Sequence, residues 1–261
     1  RLRLLHKLLS PRGSLYVHLD QKMSHYVKVI LDGIFGQERF INEICRIKCN
    51  PKNFSRAAYG NVRDSILFYS KGSDPIWNEP RESYGEEQLE RLFPRMDEHG
   101  RRYTTTPLHA PGETKDGPTG RKWKNIPPPK GRHWRYSPTE LTRLDQLGLI
   151  EWSKTGNPRL IKYADDHRKL GRKRQDLWTD FKDPMYPAYP TEKNLSMLEM
   201  IVQTSSERQS IVLDAFCGSG TTLVAAEKLG RKWIGMDAGK MAVEVAGKRL
   251  REIKSDFVRV G

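Results

Sequence analysis

The stretch Ile211-Val-Leu-Asp-Ala-Phe-Cys-Gly-Ser-Gly-Thr-Thr222 limits the possible folds of this chain more than any other. An apolar run delivers a carboxylate, Asp214, at its end. A turn containing Gly218 and Gly220 follows, and a helical pattern starts at once at Thr221. Glycine lets the backbone bend sharply and a ligand approach it closely, while a helix start offers N–H groups with no partner inside the helix. A second apolar run, Lys232-Trp-Ile-Gly-Met236, then ends on Asp237. This order predicts a βαβ unit for a nucleoside ligand, with Asp237 accepting from the two ribose hydroxyls. A P-loop requires Lys followed by Ser or Thr after its last glycine, where this chain has Thr221-Thr222. A dinucleotide turn prefers a third glycine. Asp214 would repel a phosphate and welcome a cationic sulfonium or ammonium. The residues therefore point to S-adenosylmethionine, with Phe216 and Cys217 either lining its pocket or packing beneath it.

Elsewhere, apolar periodicity predicts a helix over 2–9 stopped by Pro11-Arg-Gly13, and a strand over 14–20. A helix over 24–35 and strands over 40–47 and 64–70 follow, then helices over 195–204 and 240–253. Strands alternating with helices give the expected fold class, a doubly wound, Rossmann-like α/β sheet. Asp20, at a strand end, either faces the ligand side or caps the next helix, and His18 reads as a packed strand residue. From 72 to 181 the texture changes to Pro, Gly, Arg, Lys and Trp, with one short helix from Ser137 to Gly148. The expected organisation is half of the sheet in 1–71, an irregular insertion in 72–181 and the cofactor region in 182–261.

Lys and Arg number 46 against 32 Asp and Glu, a formal net charge of +14 that suits a polyanion such as duplex DNA or RNA. The insertion interleaves cations with rings. Arg121, Lys122 and Trp123, then Arg132, His133, Trp134 and Arg135, form the candidate surface for phosphates and stacked bases, with Arg172, Lys173 and Arg174 as a second cationic run. The competing reading is a solvated basic loop whose tryptophans pin it to the core. No stretch approaches the roughly 20 apolar residues of a membrane span, and no signal-peptide pattern opens the chain. Cys45, Cys49 and Cys217 form no CxxC pair, which fits a reducing cytoplasm and gives no metal site.

Asp214-Ala-Phe-Cys-Gly-Ser-Gly-Thr-Thr222 resembles the D-P-F-C-G-S-G-T-T signature of the amino-methylating DNA methyltransferases, with Ala215 in place of proline. Tyr189-Pro-Thr-Glu-Lys-Asn194 is similar to that family's Y-P-T-E/Q-K-P element, with Asn194 in place of the last proline. Leu8 to Asp20 and Arg63 to Ser70 look like its later strands, and Gly131 to Tyr136 and Asp176 to Asp180 like its insertion. The resemblance is nearest to the site-specific adenine enzymes of bacterial restriction–modification systems. It implies methyl transfer from S-adenosylmethionine to adenine N6 in double-stranded DNA, with Thr191 and Lys193 holding the methionine end. A second copy or a restriction subunit is the further partner it implies, with no membrane. In that family a D/N/S-P-P-Y/F/W element at a strand end performs catalysis, and the resemblance places it upstream of Arg1. The strand carrying it is expected between those of Ser14–Leu19 and Ser210–Leu213, so the isolated chain is expected to be less stable than a longer parent. Asp74-Pro-Ile-Trp77 and Asp183-Pro-Met-Tyr186 mimic the element but read as turns. Two other readings stay open: an incomplete or split half that binds DNA and cofactor without catalysing, and an RNA-modifying enzyme with an adenosine ligand.

Overall fold

Every residue from Asp64 to Ser70 is buried, which a strand achieves only when both faces of its sheet are covered. Successive side chains of a strand alternate between faces. Ile66 and Phe68 accordingly meet one layer while Leu67 and Tyr69 meet the other. The computed structural model describes residues 1–50, 55, 57–187, 189 and 192–260. It divides into two compact units, Arg1–Pro80 with Arg174–Gly261, and Arg81–Lys173.

The first unit contains α1 (Leu2–Leu8), β1 (Ser14–Leu19), α2 (Ser24–Phe35), β2 (Phe40–Ile47), β3 (Arg63–Ser70), β4 (Leu177–Trp178), α3 (Leu195–Ser205), β5 (Ile211–Asp214), α4 (Thr221–Lys228), β6 (Lys232–Gly235) and α5 (Lys240–Glu252). Four strands form a sheet of order β1-β3-β2-β4. The first two pairings are antiparallel, from Ser14↔Ser70 to Leu19↔Ser65 and from Phe40↔Tyr69 to Ile47↔Arg63, and β2 pairs with β4 in parallel. On one face Leu31 and Phe35 of α2 pack against Leu67 and Tyr69, with Leu2 of α1 beside them. On the other, Met197 of α3 packs with Ile44, Ile66, Phe68, Trp178 and Phe181. Each such side chain taken fully out of water stabilises the fold by about 1.5–3 kcal/mol. Strands β5 and β6 form a separate parallel pair, in register from Ile211↔Lys232 to Asp214↔Gly235, joined through α4. Leu223 and Val224 of α4 pack on Leu250 of α5, with Leu195 and Trp233 beside them. These are the α/β layers expected from the alternation of elements.

Residues 81–173 are not irregular, and here the sequence expectation is corrected. They hold a four-stranded antiparallel sheet in the order Arg95–Met96, Arg102–Pro107, Pro158–Tyr163, Ile150–Trp152. The expected helix runs from Pro138 to Gln146, with Ser137 Oγ accepting from Glu140 N as its N-cap. Leu108, Trp123, Trp134 and Leu141 form a core with Ile150 and Leu160. A smaller core joins Leu89, Phe93 and Ala164. The compact unit lies inside the stretch 72–181, whose ends at 72–80 and 174–181 belong to the first unit.

Candidate cofactor site

The parallel pairing of β5 and β6 brings two carboxylates to one end of a sheet. Asp214 stands opposite Gly235, and Asp237 follows two residues later. Met236 N donates to Asp214 O at 2.9 Å and Cys217 N to Met236 O at 2.9 Å, lacing the turn to the neighbouring strand end. Asp237 ties the turn from the other side: Oδ2 accepts from Gly218 N at 2.9 Å and Oδ1 from Gly239 N at 2.8 Å. Asp214 Oδ1 accepts from Phe216 N at 3.0 Å. Both carboxylates are thus held by backbone donors, and among the described residues neither has a cation as ion-pair partner. The charge remains uncompensated, and its effect reaches Cys217, whose thiol is pushed up to about 11 by burial and by Asp214 and Asp237.

The two glycines serve different ends. Gly218 (φ +50°) and Gly220 (φ +75°) both occupy the left-handed region. A Cβ on Gly220 would lie 2.8 Å from Ala246 Cβ, so this glycine is required by α5 behind the turn. At Gly218 the nearest atom to such a Cβ is Tyr189 Cε1 at 3.8 Å, and that side stays open to approach. The Thr221 side chain is buried: it is 4% exposed, and its hydroxyl accepts from Arg249 Nη1 at 2.9 Å. Its expected ligand role is therefore corrected to a buried anchor. Cys217 packs with Leu223 and Leu250, while Phe216 is exposed.

Asp20 and Lys193 stand at a second locus, a cavity of 520 Å³ lined also by His18, Lys48, Asp64, Asp183 and Glu192. Asp20 Oδ1 accepts from Lys22 N and Met23 N, holding the turn that leads into α2, and Asp20 also lines this cavity. Thr191 lies outside the described residues. Asp64 is the centre of the cavity wall, taking His18 Nε2 at 3.1 Å and Lys48 Nζ at 2.7 Å, with Lys193 Nζ at 3.9 Å. Burial opposes its charge, yet the hydrogen bonds from His18 and Lys48 prevail and hold the carboxyl well below the usual range. Burial, aided by Lys193 and Arg46, lowers the His18 imidazole below its ordinary value. Arg46, fully buried, donates to Asp183 Oδ1 at 2.5 Å and to Phe181 O at 2.7 Å, fixing the segment in front of the cavity. Glu192 connects this locus to the turn, because Arg249 reaches Glu192 at 3.0 Å and also donates to Ser219 O. Asn194, the departure from the family's proline, is the N-cap of α3 and accepts from Met197 N at 3.0 Å.

Sequence reasoning missed Asp64, Lys48, Glu192 and Arg249. The signals were a strand that opens on an acid and a helix face on which Arg249 follows Ala242 and Ala246. Neither Asp74-Pro-Ile-Trp77 nor Asp183-Pro-Met-Tyr186 lies in a strand.

Among the expected DNA contacts, both tryptophans are corrected. Trp134 is fully buried and donates from Nε1 to Arg121 O, and Trp123, 3% exposed, donates to Thr142 Oγ1. Their rings build the core and offer no face for stacking on a base. Arg174 is also engaged, with two hydrogen bonds to Asp180 and its guanidinium 4.6 Å over the Phe181 ring. Arg172 pairs with Glu82 at 2.5 Å, and Lys173 lies on the same two-residue strand. Arg121, Lys122, Arg132 and Arg135 are exposed, and His133 is half-buried with Nδ1 2.8 Å from Gly112 O. No helix among the described residues is long and apolar enough to cross a membrane.

Comparison with known proteins agrees with this geometry. The chain is 44% identical over 254 residues to a type II methyltransferase, M.EcaI, of Enterobacter cloacae, covering 95% of this chain and 55% of that protein. It spans about half the length of that relative, and 36% and 34% of two further type II methyltransferases. Among solved structures, the M1.HpyAVI–SAM complex superposes with a TM-score of 0.51 at 18% identity, over 95% of this chain and 80% of that one. The PvuII DNA methyltransferase (cytosine-N4-specific) gives a TM-score of 0.52 at 13% identity, over 95% and 67%. Both show the shared Rossmann-like fold. A family model described as DNA methylase (N6_N4_Mtase) matches residues 1–248, and the chain belongs to that family.

Proposed function

We propose that this chain forms the cofactor-binding and DNA-binding part of a site-specific DNA methyltransferase that uses S-adenosylmethionine. The observation that carries this reading is the pair of strand-end carboxylates, Asp214 and Asp237, held by backbone donors and uncompensated by any described cation. Such a place suits a cationic ligand bearing vicinal hydroxyls and disfavours a phosphate. When bound, S-adenosylmethionine supplies an electrophilic methyl group on its sulfonium. Asp237 holds the ribose, Gly218 leaves the backbone open to approach, and Asp214 faces the cationic end. Phe216 flanks the turn, Lys193 and Asp20 stand at the neighbouring cavity for the methionine end, and Glu192 joins the two loci through Arg249.

The acceptor in this reading is the exocyclic amine of a base turned out of double-stranded DNA, adenine N6 ahead of cytosine N4, in a restriction–modification setting. The exposed cations Arg121, Lys122, Arg132 and Arg135 supply the DNA surface. A cytoplasmic location follows from that substrate, and a second copy or a restriction subunit is the further partner. A second reading is a half that binds DNA and cofactor and acts with another polypeptide. It is favoured by the placement of β1 and β5 in separate sheets. Calorimetric titration with S-adenosylmethionine tests the first claim: one saturable site is expected, weakened at least tenfold (about 1.4 kcal/mol) by Asp237→Ala. Equal affinity in the variant would overturn it. Methylation of duplex DNA by the chain alone favours the first reading over the second.

A further inference from the structure

Seven cations of the unit 81–173 are neutralised by ion pairs with carboxylates: Arg95, Arg101, Arg102, Lys124, Arg143, Arg168 and Arg172. A group of four residues is held instead by hydrogen bonds to one another and to neutral partners. Arg132 Nη1 lies 3.2 Å from His109 Nδ1, and the strand segments carrying them pair antiparallel, His109 opposite Trp134. Arg135 donates from Nε to Pro107 O at 3.1 Å, and its own N–H to Leu108 O at 2.7 Å. Arg159, in register with Pro107, donates to Thr105 Oγ1 and Thr105 O at 2.8 Å each. Backbone carbonyls and a hydroxyl therefore aim Arg135 and Arg159, and His109 aims Arg132; Glu151, opposite Arg159 across the strands, feels that charge without forming an ion pair with it. None of the three forms an ion pair among the described residues. Burial and the three guanidiniums together lower the His109 imidazole, with no carboxylate acting in the other direction.

Like charges gathered this closely repel one another, and an anion placed among them removes that repulsion. Guanidinium forks fit the paired non-bridging oxygens of a phosphate. We propose that His109, Arg132, Arg135 and Arg159 form a clamp for one backbone phosphate of duplex DNA, a contact that positions the duplex and reads no base. The inference rests on the DNA reading above and deepens it, since His109 and Arg159 lie outside the basic runs of the sequence. With Trp123 and Trp134 sealed in the core beneath, phosphate contact rather than base stacking accounts for this face.

The test is fluorescence anisotropy of the chain with two unrelated duplexes across a salt series. Loss of one phosphate contact lowers the slope of log K against log salt by about 0.9, equivalent to about eightfold weaker binding at 0.1 M. Arg132→Gln/Arg135→Gln should show that loss equally on both duplexes. Arg132→Lys/Arg135→Lys should keep the slope, and Arg143→Gln, whose cation is already paired with Glu140, should match the unaltered chain. An unchanged slope in the double Gln variant, a loss confined to one duplex, or an equal loss in the Lys variant overturns the clamp alone. Absence of salt-dependent duplex binding by the unaltered chain overturns the DNA reading and the clamp together.

Discussion

Open charge of opposite sign is held in two places, by the same device. At the β5–β6 end, Asp214 and Asp237 accept from the N–H groups of Phe216, Gly218 and Gly239. Within residues 81–173, Arg135 and Arg159 donate to the carbonyls of Pro107 and Thr105. Backbone groups orient a charge without neutralising it, so each place keeps its field. Two charges of the first unit show the reverse: Arg46 is compensated by Asp183, and Lys48 by Asp64. Arg231, held by Leu229 O, Ser206 O and Ser206 Oγ, shows that the same device also serves packing, so the two places stand out by what lies in front of them and not by partner type alone.

The largest expected effect breaks the support of the cationic place. Trp134→Ala should destabilise the unit 81–173 by about 3–5 kcal/mol, read as a lowered thermal midpoint. Weakened DNA binding with an unchanged midpoint would instead return this ring to the surface. Next comes a compensated charge: Arg46→Met should cost about 3 kcal/mol, because Asp183 loses its cation and Phe181 O its donor, while duplex affinity stays constant. Chemical denaturation with parallel anisotropy checks both halves of that statement. Gly220→Val strikes the anionic place from behind. Its left-handed backbone and the contact with Ala246 predict a loss of about 2 kcal/mol, with weaker S-adenosylmethionine binding by calorimetry. The smallest effect concerns acid. The Asp64 carboxyl is depressed in the folded chain, so its stabilising contribution is full above the unfolded value of about 3.9 and is lost as pH falls through the lower folded value. Asp64→Asn should flatten the acid limb of a stability–pH curve; an identical limb would remove the ion-pair role.

The two places differ in how far the sequence alone discloses them. Around 211–237 the constraints are local: an apolar run, an acid, glycines and a helix start stand within a short span, and the structure reproduces that order. Helix α2 and strand β2 keep their expected bounds, each being a short apolar stretch closed by polar or glycine residues. Arg102–Pro107 gives no such signal. All six of its residues are half-buried, and its partner strand lies some fifty residues further along, at Arg159↔Pro107. Cations interleaved with tryptophans read the same whether the rings point inward or outward, which is why Trp123 and Trp134 were assigned to the surface. His18 and Asp64 meet only through the β1–β3 register, where Leu19 opposes Ser65 and His18 opposes Ile66. That encounter depends on the register of two strands that are distant in sequence.

Gly220 and Ala246 meet through atoms no larger than a methyl group, so α5 rests directly against the back of the turn. A change at position 246 would therefore be transmitted as a displacement of the loop that presents Gly218 N–H to Asp237. On the proposed reading, the affinity of this end of the protein is tuned from position 246, behind the turn, one methyl group at a time.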